Sequence, residues 1–319
     1  MSAPSSDPVA RVASIFGAIP RPRHFGRVNW VGLLGLMRRE AIRELRWFGM
    51  ALVGPAIQAA LFATVFSLAA GEQGMAVDGW NFLEFLGAGL VISAVMQRAL
   101  ETTGYSIMFD KLESGGLQDI LGAPLTPMEI LTAYLATAIA VSVSIGLFIW
   151  LVMSLFGLRL PVHPLAAVYF LCIAGGIFSM LGLIGAVFSK KWDSFSGKET
   201  FVVLPLIFLS GTFFPLSAVP EGPWRSVFQI NPIYYLVDGF RWSATGRLES
   251  DPWLSAAVTA GSLFNRGPPA GHRIQAETLR FPDCTDALAN ARLWYGVITM
   301  FVGAHREFLS HGIQQFTLR

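Results

Sequence analysis

Five stretches of this chain are too long and too apolar to be ordinary elements of a water-soluble domain: residues 47–70, 82–97, 130–157, 165–188 and 201–219. A transmembrane helix needs about 20 mostly apolar residues, and each stretch meets or nearly meets that length. A sixth begins at Trp253 and reads WLSAAVTAGSLF, but Asn265-Arg266-Gly267-Pro268-Pro269 stops it before it could span alone. The expectation is an all-α, polytopic membrane protein of about six transmembrane helices, five complete and the last interrupted. A chain that is 53% hydrophobic and only 14% charged fits lipid as the solvent for much of its length. The first stretch is not a cleaved signal peptide, because its apolar core is too long and more than forty residues precede it.

Basic residues set the expected orientation. Arg11, Arg21, Arg23, Arg27, Arg38, Arg39, Arg43 and Arg46 precede the first span, whereas the loop after it, GEQGMAVDGW, has no Lys or Arg. The N-terminus is therefore expected in the cytoplasm. Lys190, Lys191 and Lys198 between the fourth and fifth spans agree with that alternation, and the loop from Gln97 to Glu129 becomes cytoplasmic. A net charge of +2 with scattered basic residues gives no footprint for nucleic acid. Cys172 and Cys284 sit in no CxxC or Cys/His spacing, so neither a disulfide framework nor a metal site is expected.

Ahead of the first span, NWVGLLGLMRREAIRELR is amphipathic at helical spacing. Trp30, Leu34, Met37, Ala41 and Leu45 share one face, with Arg39, Arg43 and Arg46 opposite. Such a helix lies along the bilayer surface or packs on a partner. In the loop FDKLESGGLQDILGAPLTPMEIL, Leu117, Ile120 and Leu121 would line one side of a short helix that Gly122 ends, with Pro124 following. Thr126, Pro127 and Glu129 then read as N-cap, first helical position and capping-box acid of the next span. A short apolar-faced helix between two spans either passes force from a cytoplasmic partner or is a plain connector. In the fourth span Gly175, Ser179, Gly182 and Ala186 share a face that allows close helix contact, either within one chain or at a dimer seam.

The fifth span carries its own interruptions. Ser210, Gly211 and Pro215 lie mid-run, and Pro220, Pro223 and Asn231-Pro232 follow. Backbone at membrane depth must stay hydrogen-bonded, so the span either breaks near its outer end and leads into re-entrant or interfacial pieces, or gives way to a proline-rich outer loop. Trp224, Tyr234 and Tyr235 suit headgroup level. Asp238 and Arg241 have the spacing of an i,i+3 helical pair, either solvated or functional.

Two transport-free or partner-free classes fit poorly. Ion-coupled secondary transporters keep ionisable residues within their spans, yet Glu84, near an outer end, is the one such residue in the five stretches. An integral-membrane enzyme would need clustered catalytic groups, whereas His24, His163, His272, His305 and His311 are scattered. No phosphate loop is present, since Gly197-Lys198 is followed by Glu199, and SGGLQ at 114–118 without one is a chance match to a cassette signature.

Residues Gly116 to Leu121 and Ala123 to Thr126, joined to Ser210-Gly211, Phe214-Pro215, Pro220, Asn231-Pro232, Tyr235 and Asp238-Gly239-Phe240-Arg241, resemble type-2 permeases of ATP-binding-cassette exporters. The likeness is to bacterial inner-membrane transport permeases that include the nodulation-factor exporter, and it covers roughly residues 28–261. It implies a permease subunit, not an enzyme, in the bacterial plasma membrane, with no cofactor of its own. A separate cytoplasmic ATPase, in two copies, would drive export through a permease homodimer. The coupling helix would use Gly116, Leu117, Ile120, Leu121 and Pro124, and the outer re-entrant motif Gly211, Pro215, Pro220, Asn231, Pro232, Asp238 and Arg241. The cargo expected is amphipathic or apolar: a lipid-linked glycan, lipo-oligosaccharide or drug. Residues 1–27 are expected to be a disordered extension and 28–261 the permease domain. From Ser262 Arg, His and Pro interrupt every apolar run, so residues 262–319 read as an atypical tail, the product of a frameshift near codon 262 or a native divergent end.

Overall fold

A computed structural model describes residues 28–70, 76–77, 80–112, 116–213, 231–247 and 255. The expectations for the N-terminal extension, for Pro215 and Pro220, for the last span and for the tail fall outside these residues.

The first helix departs from expectation. Helix α1 (Trp30–Ala70) is continuous over 41 residues, about 60 Å at ~1.5 Å per residue, so the amphipathic segment and the first span are one rod. No breaker separates Arg46 from Trp47, and Gly49, Gly54 and Pro55 within the span disfavour helix without ending it; running on avoids exposing the unpaired backbone groups that two helix ends would create. Trp30, Leu34 and Leu45 face outward, as an apolar face against lipid would, while Leu33, Leu36 and Glu40 face the protein.

A two-stranded hairpin, β1 (Ala76–Val77) and β2 (Trp80–Asn81), pairs Val77 with Trp80 and leads into α2. Helix α2 (Phe82–Leu112) is 31 residues long and runs well past Gln97, carrying much of the expected cytoplasmic loop as helix. Helix α3 (Gly116–Gly122) is the short helix that the loop pattern predicts. Helix α4 (Pro127–Leu155) starts on the expected capping box: Thr126 N–H donates to Glu129 Oε2 at 2.7 Å and Glu129 N–H to Thr126 Oγ1 at 3.3 Å. Helix α5 (Pro164–Val187) follows.

The fifth apolar run is helical from α6 (Trp192–Lys198), earlier than Phe201, through a π-helical stretch Glu199–Val203 into α7 (Leu204–Phe208). Pro205 explains the local change. It has no N–H for the carbonyl four residues back, and its ring crowds that carbonyl, while the Leu204 N–H bonds to Glu199 O instead. Helix α8 (Pro232–Thr245) closes the described structure.

Among the described residues four helices are long and apolar enough to cross a membrane: Trp30–Val65, Leu83–Leu112, Pro127–Leu155 and Pro164–Val187. Helix α2 is central, flanked by α5, α4, α8 and α1. The small-residue stripe on α5 is an internal packing face. Ser179 Oγ lies 3.5 Å from Ala99 O, a Cβ on Gly182 would stand 2.3 Å from Leu100 O, and Gly175 abuts Ser142 and Ile139 of α4.

At the end of the bundle near α3, Lys111 donates to the carbonyls of Val187 and Ser189, both at 2.9 Å, and Lys198 to Phe188 O and Ser189 Oγ, both at 3.0 Å. The two lysines satisfy carbonyls that the C-terminus of α5 leaves free, and they place positive charge at the negative end of its dipole. Phe195, 2% exposed, fills a notch beside Gly104, where a side chain would collide with it, and Gly185, where one would press on it.

Candidate functional site

The structure separates the sequence-predicted site residues into two groups at opposite ends of the bundle. At the near end, α3 lies between the last turn of α2 and the first of α4. Gly116 and Ile120 are buried, whereas Leu117 and Leu121 are only half-buried and Gln118, Asp119 and Pro124 are exposed. The chain therefore leaves part of α3's apolar side uncovered. An open groove of about 410 Å³ runs between α3 and the first turns of α1, lined by Gly32, Leu36, Asp119, Ile120, Pro124 and Leu125 among others.

The start of α1 is fastened to this corner. Asn29 caps α1 by accepting from Gly32 N–H at 3.0 Å, donates Nδ2 to Pro124 O at 2.9 Å, and gives its own N–H to Glu129 Oε1 at 2.6 Å. Glu129 thus serves two helix starts at once.

Higher up, Asp110 is wholly buried at the crossing of α1, α2 and α4. It accepts from Tyr134 Oη at 2.6 Å and from Arg43 Nη1 at 3.0 Å, and Arg39 also donates to it. Arg43 pairs in addition with the buried Glu40. The sequence reading put Arg39 and Arg43 on the polar side of a surface helix; from there the exposed Arg39 and the half-buried Arg43 both reach in to the buried Asp110. A further ion-pair group joins Arg98 to Glu44 at 2.7 Å and to Glu101 at 3.3 Å. Neither group follows from the sequence pattern, which ends the second span near Gln97 and treats FDKL as loop, whereas α2 runs on to Leu112. The helical spacing of Met96, Leu100, Thr103 and Ile107, all buried, was the available signal that the helix carries on.

At the far end α7 stops at Phe208, and Gly211 turns the chain at φ 75°, a left-handed conformation that glycine adopts freely. Four of the carbonyls there are met by side chains. Asn231 Nδ2 donates to Leu206 O at 3.0 Å and Leu209 O at 3.2 Å, Ser210 Oγ to Ile207 O at 2.5 Å, and Arg241 Nη2 to Gly211 O at 2.9 Å. Asn231 Oδ1 also accepts from Ile233 N–H at 3.1 Å, capping α8, with Pro232 at its first position. One side chain ends one helix and begins another, which is what unpaired backbone at membrane depth demands.

Asp238 and Arg241 are 0% and 1% exposed, so the solvated reading of this pair is corrected. The Arg241 guanidinium stacks over Phe85 with its carbon 3.6 Å from the ring centre, a cation–π contact strengthened by the lack of water. Helix α8, 14 residues long, is too short to span. It starts beside the end of α7, and its last turn meets the α4–α5 connection, where Val162 and His163 donate N–H to Ala244 O and Ser243 O at 3.2 and 2.9 Å. In that same connection exposed Arg159 lies 3.6 Å from Glu84, a pairing worth little in solvent.

Replacing Asn231 by Ala should destabilise the protein by about 0.5–2 kcal/mol, the usual range for a lost N-cap. Asn231→Asp keeps the cap acceptor but loses both donors and sets a charge against two carbonyls, so it should unfold at a temperature no higher than the Ala variant in a detergent melt. A wild-type melting curve for both variants would show that the helix junction does not depend on Asn231.

Among the described residues no group of His, Cys, Asp and Glu could hold a metal ion. Comparison with known proteins bears on the same two regions. The chain is 29% identical over 218 residues to the inner membrane transport permease YadH of Escherichia coli (strain K12), covering 68% of this chain and 84% of that protein. It is 26% identical over 227 residues to Nodulation protein J of Rhizobium leguminosarum bv. viciae, covering 70% of this chain and 84% of that protein. Nodulation protein J of Rhizobium meliloti (strain 1021) is 28% identical over 179 residues, 56% of this chain. The family model for ABC-2 type transporters matches residues 33–244, from the first turns of α1 to the last of α8 and so across both the near-end corner and the end of α7: the chain belongs to the ABC-2 type transporter family.

Proposed function

We propose that this permease is one half of the membrane part of an ATP-driven exporter in the bacterial inner membrane, with its α3 end in the cytoplasm. The observation that carries the reading is α3 itself. It is a short helix fixed between two long ones, and it keeps Leu117 and Leu121 half-uncovered where a soluble partner could reach them. Exposed Arg38 and Arg46 on α1 and exposed Lys190 and Lys191 at the same end support the cytoplasmic placement.

Two permease copies and two ATPase subunits complete the assembly. Only 11% of the apolar window of α1 is buried, against 67% in α2 and α5, so α1 has a face for lipid or for a second copy. ATP binding draws the ATPase subunits together, α3 is displaced, and the spans rearrange to release cargo on the far side. Apolar side chains such as Met50, Ile57, Leu61, Leu147 and Leu151 line the uncovered faces. They suit an amphipathic or apolar cargo, such as a lipid-linked glycan, lipo-oligosaccharide or drug, better than an ion.

The purified chain alone should hydrolyse no ATP, and hydrolysis should appear when a cassette ATPase is co-expressed and co-purified with it. Steady ATP turnover by the isolated chain would overturn this reading.

A further inference from the structure

We propose that Asp110 is a positioning residue that makes α1 move with α3, so that force received at the coupling corner is delivered to the whole length of α1; the proposal rests on the export reading above. Its basis is the buried ionic group that no packing requirement calls for. Burying a charge costs desolvation that a well-packed apolar residue would avoid, yet Asp110 is wholly buried, held by a half-buried Arg43 and an exposed Arg39 from α1 and by a hydroxyl from α4.

The placement is specific. Asp110 lies in the last turn of α2, just before the segment that leads into α3, and Tyr134 lies in the second turn of α4, just after it. Both legs of the α3 hairpin are therefore joined at one carboxylate. Arg39 and Arg43 bind α1 to the same carboxylate, while Asn29 binds the start of α1 to Glu129 and Pro124. The two attachments are ten to fourteen residues apart on α1 (Asn29 against Arg39 and Arg43), about 15–21 Å along a helix. A single attachment lets a rod swivel; two at that separation transmit tilt as well as translation. Because α1 stays helical to Ala70, through Pro55, the tilt is carried rigidly at least as far as that proline, where one backbone hydrogen bond is missing, and passes on into the rest of the span.

The test uses the complex with its co-expressed ATPase, in a Cys172→Ser, Cys284→Ser background, with spin labels at Leu45→Cys on α1 and Gln118→Cys on α3. A second pair joins Gln118→Cys to Leu155→Cys at the far end of α4. On trapping with ATP and vanadate, the second distance should change, whereas the first should hold to within about 1–2 Å, the scale of a packed-helix shift. In Asp110→Asn, which still co-purifies with the ATPase, the first distance should become nucleotide-dependent, and Asp110→Glu should restore its constancy. Arg43→Gln should act in the same direction as Asp110→Asn, and serves where that variant does not fold. A change in both wild-type distances would overturn the clamp while leaving coupling through α3 intact, as would a constant first distance in Asp110→Asn and Arg43→Gln. No change in the second distance would mean that α3 receives no input, and would overturn the export mechanism and the clamp together.

Discussion

Replacing Leu117 or Leu121 with Asp is expected to leave the protein inserted and folded while removing its hold on the ATPase. Both side chains are half-buried on a seven-residue helix whose buried anchors are Gly116 and Ile120, so the substitutions spare the contacts that seat α3 on the chain. At a docking surface they would replace an apolar contact by a carboxylate that must be desolvated. A central apolar contact of that kind is worth about 2 kcal/mol or more, which weakens association roughly 30-fold. Titrating tagged permease in detergent with the ATPase measures this, and a melt of the permease alone checks that the fold survives. If both variants bind the ATPase as the wild type does, α3 is a connector and the coupling role assigned to it is wrong.

The largest effect on stability is expected from Gly182→Val. A Cβ at that position would stand 2.3 Å from the backbone oxygen of Leu100, and backbone on a central helix cannot swing aside as the tip of a flexible side chain can. Helices α2 and α5 would have to separate along the face that also holds Ser179 against Ala99. Overpacking of this kind costs about 1–3 kcal/mol and sometimes more, and a backbone collision belongs at the upper end. Gly54→Ala is the matched control. Nothing lies within 4 Å of its added carbon, and the better helix propensity of Ala should raise stability by up to about 1 kcal/mol. Thermal unfolding in detergent separates the two: a Gly182→Val protein as stable as Gly54→Ala would show that α2 and α5 do not meet as closely as described.

Most of what the sequence settled by itself is local. Apolar length marked α1, α2, α4 and α5 as membrane-spanning, because transfer of about 20 apolar residues into lipid needs no knowledge of neighbours. Gly122 and Pro124 bounded α3, and Thr126, Pro127 and Glu129 started α4, because capping depends on residues three apart. The interruption at Ser210-Gly211 was legible for the same reason: a chain that stops its helix must use residues able to turn and to bind free carbonyls.

What only the tertiary structure decided is which way each face turns and which distant residue meets it. Arg39 and Arg43 read as the polar side of an amphipathic helix, yet both reach the buried Asp110, some seventy residues on, Arg43 half-buried and Arg39 with its side chain still exposed. Arg241 read as one of a pair that could equally be solvated, yet it is buried because Gly211, thirty residues earlier, presents a free carbonyl and Phe85 a ring face. The stripe on α5 could have faced another copy, and it faces α2 and α4 instead. An ionisable or small residue has no intrinsic address in a membrane protein: burial of a charge is costly until a partner is in place, and that partner is supplied by the fold and not by the neighbouring sequence.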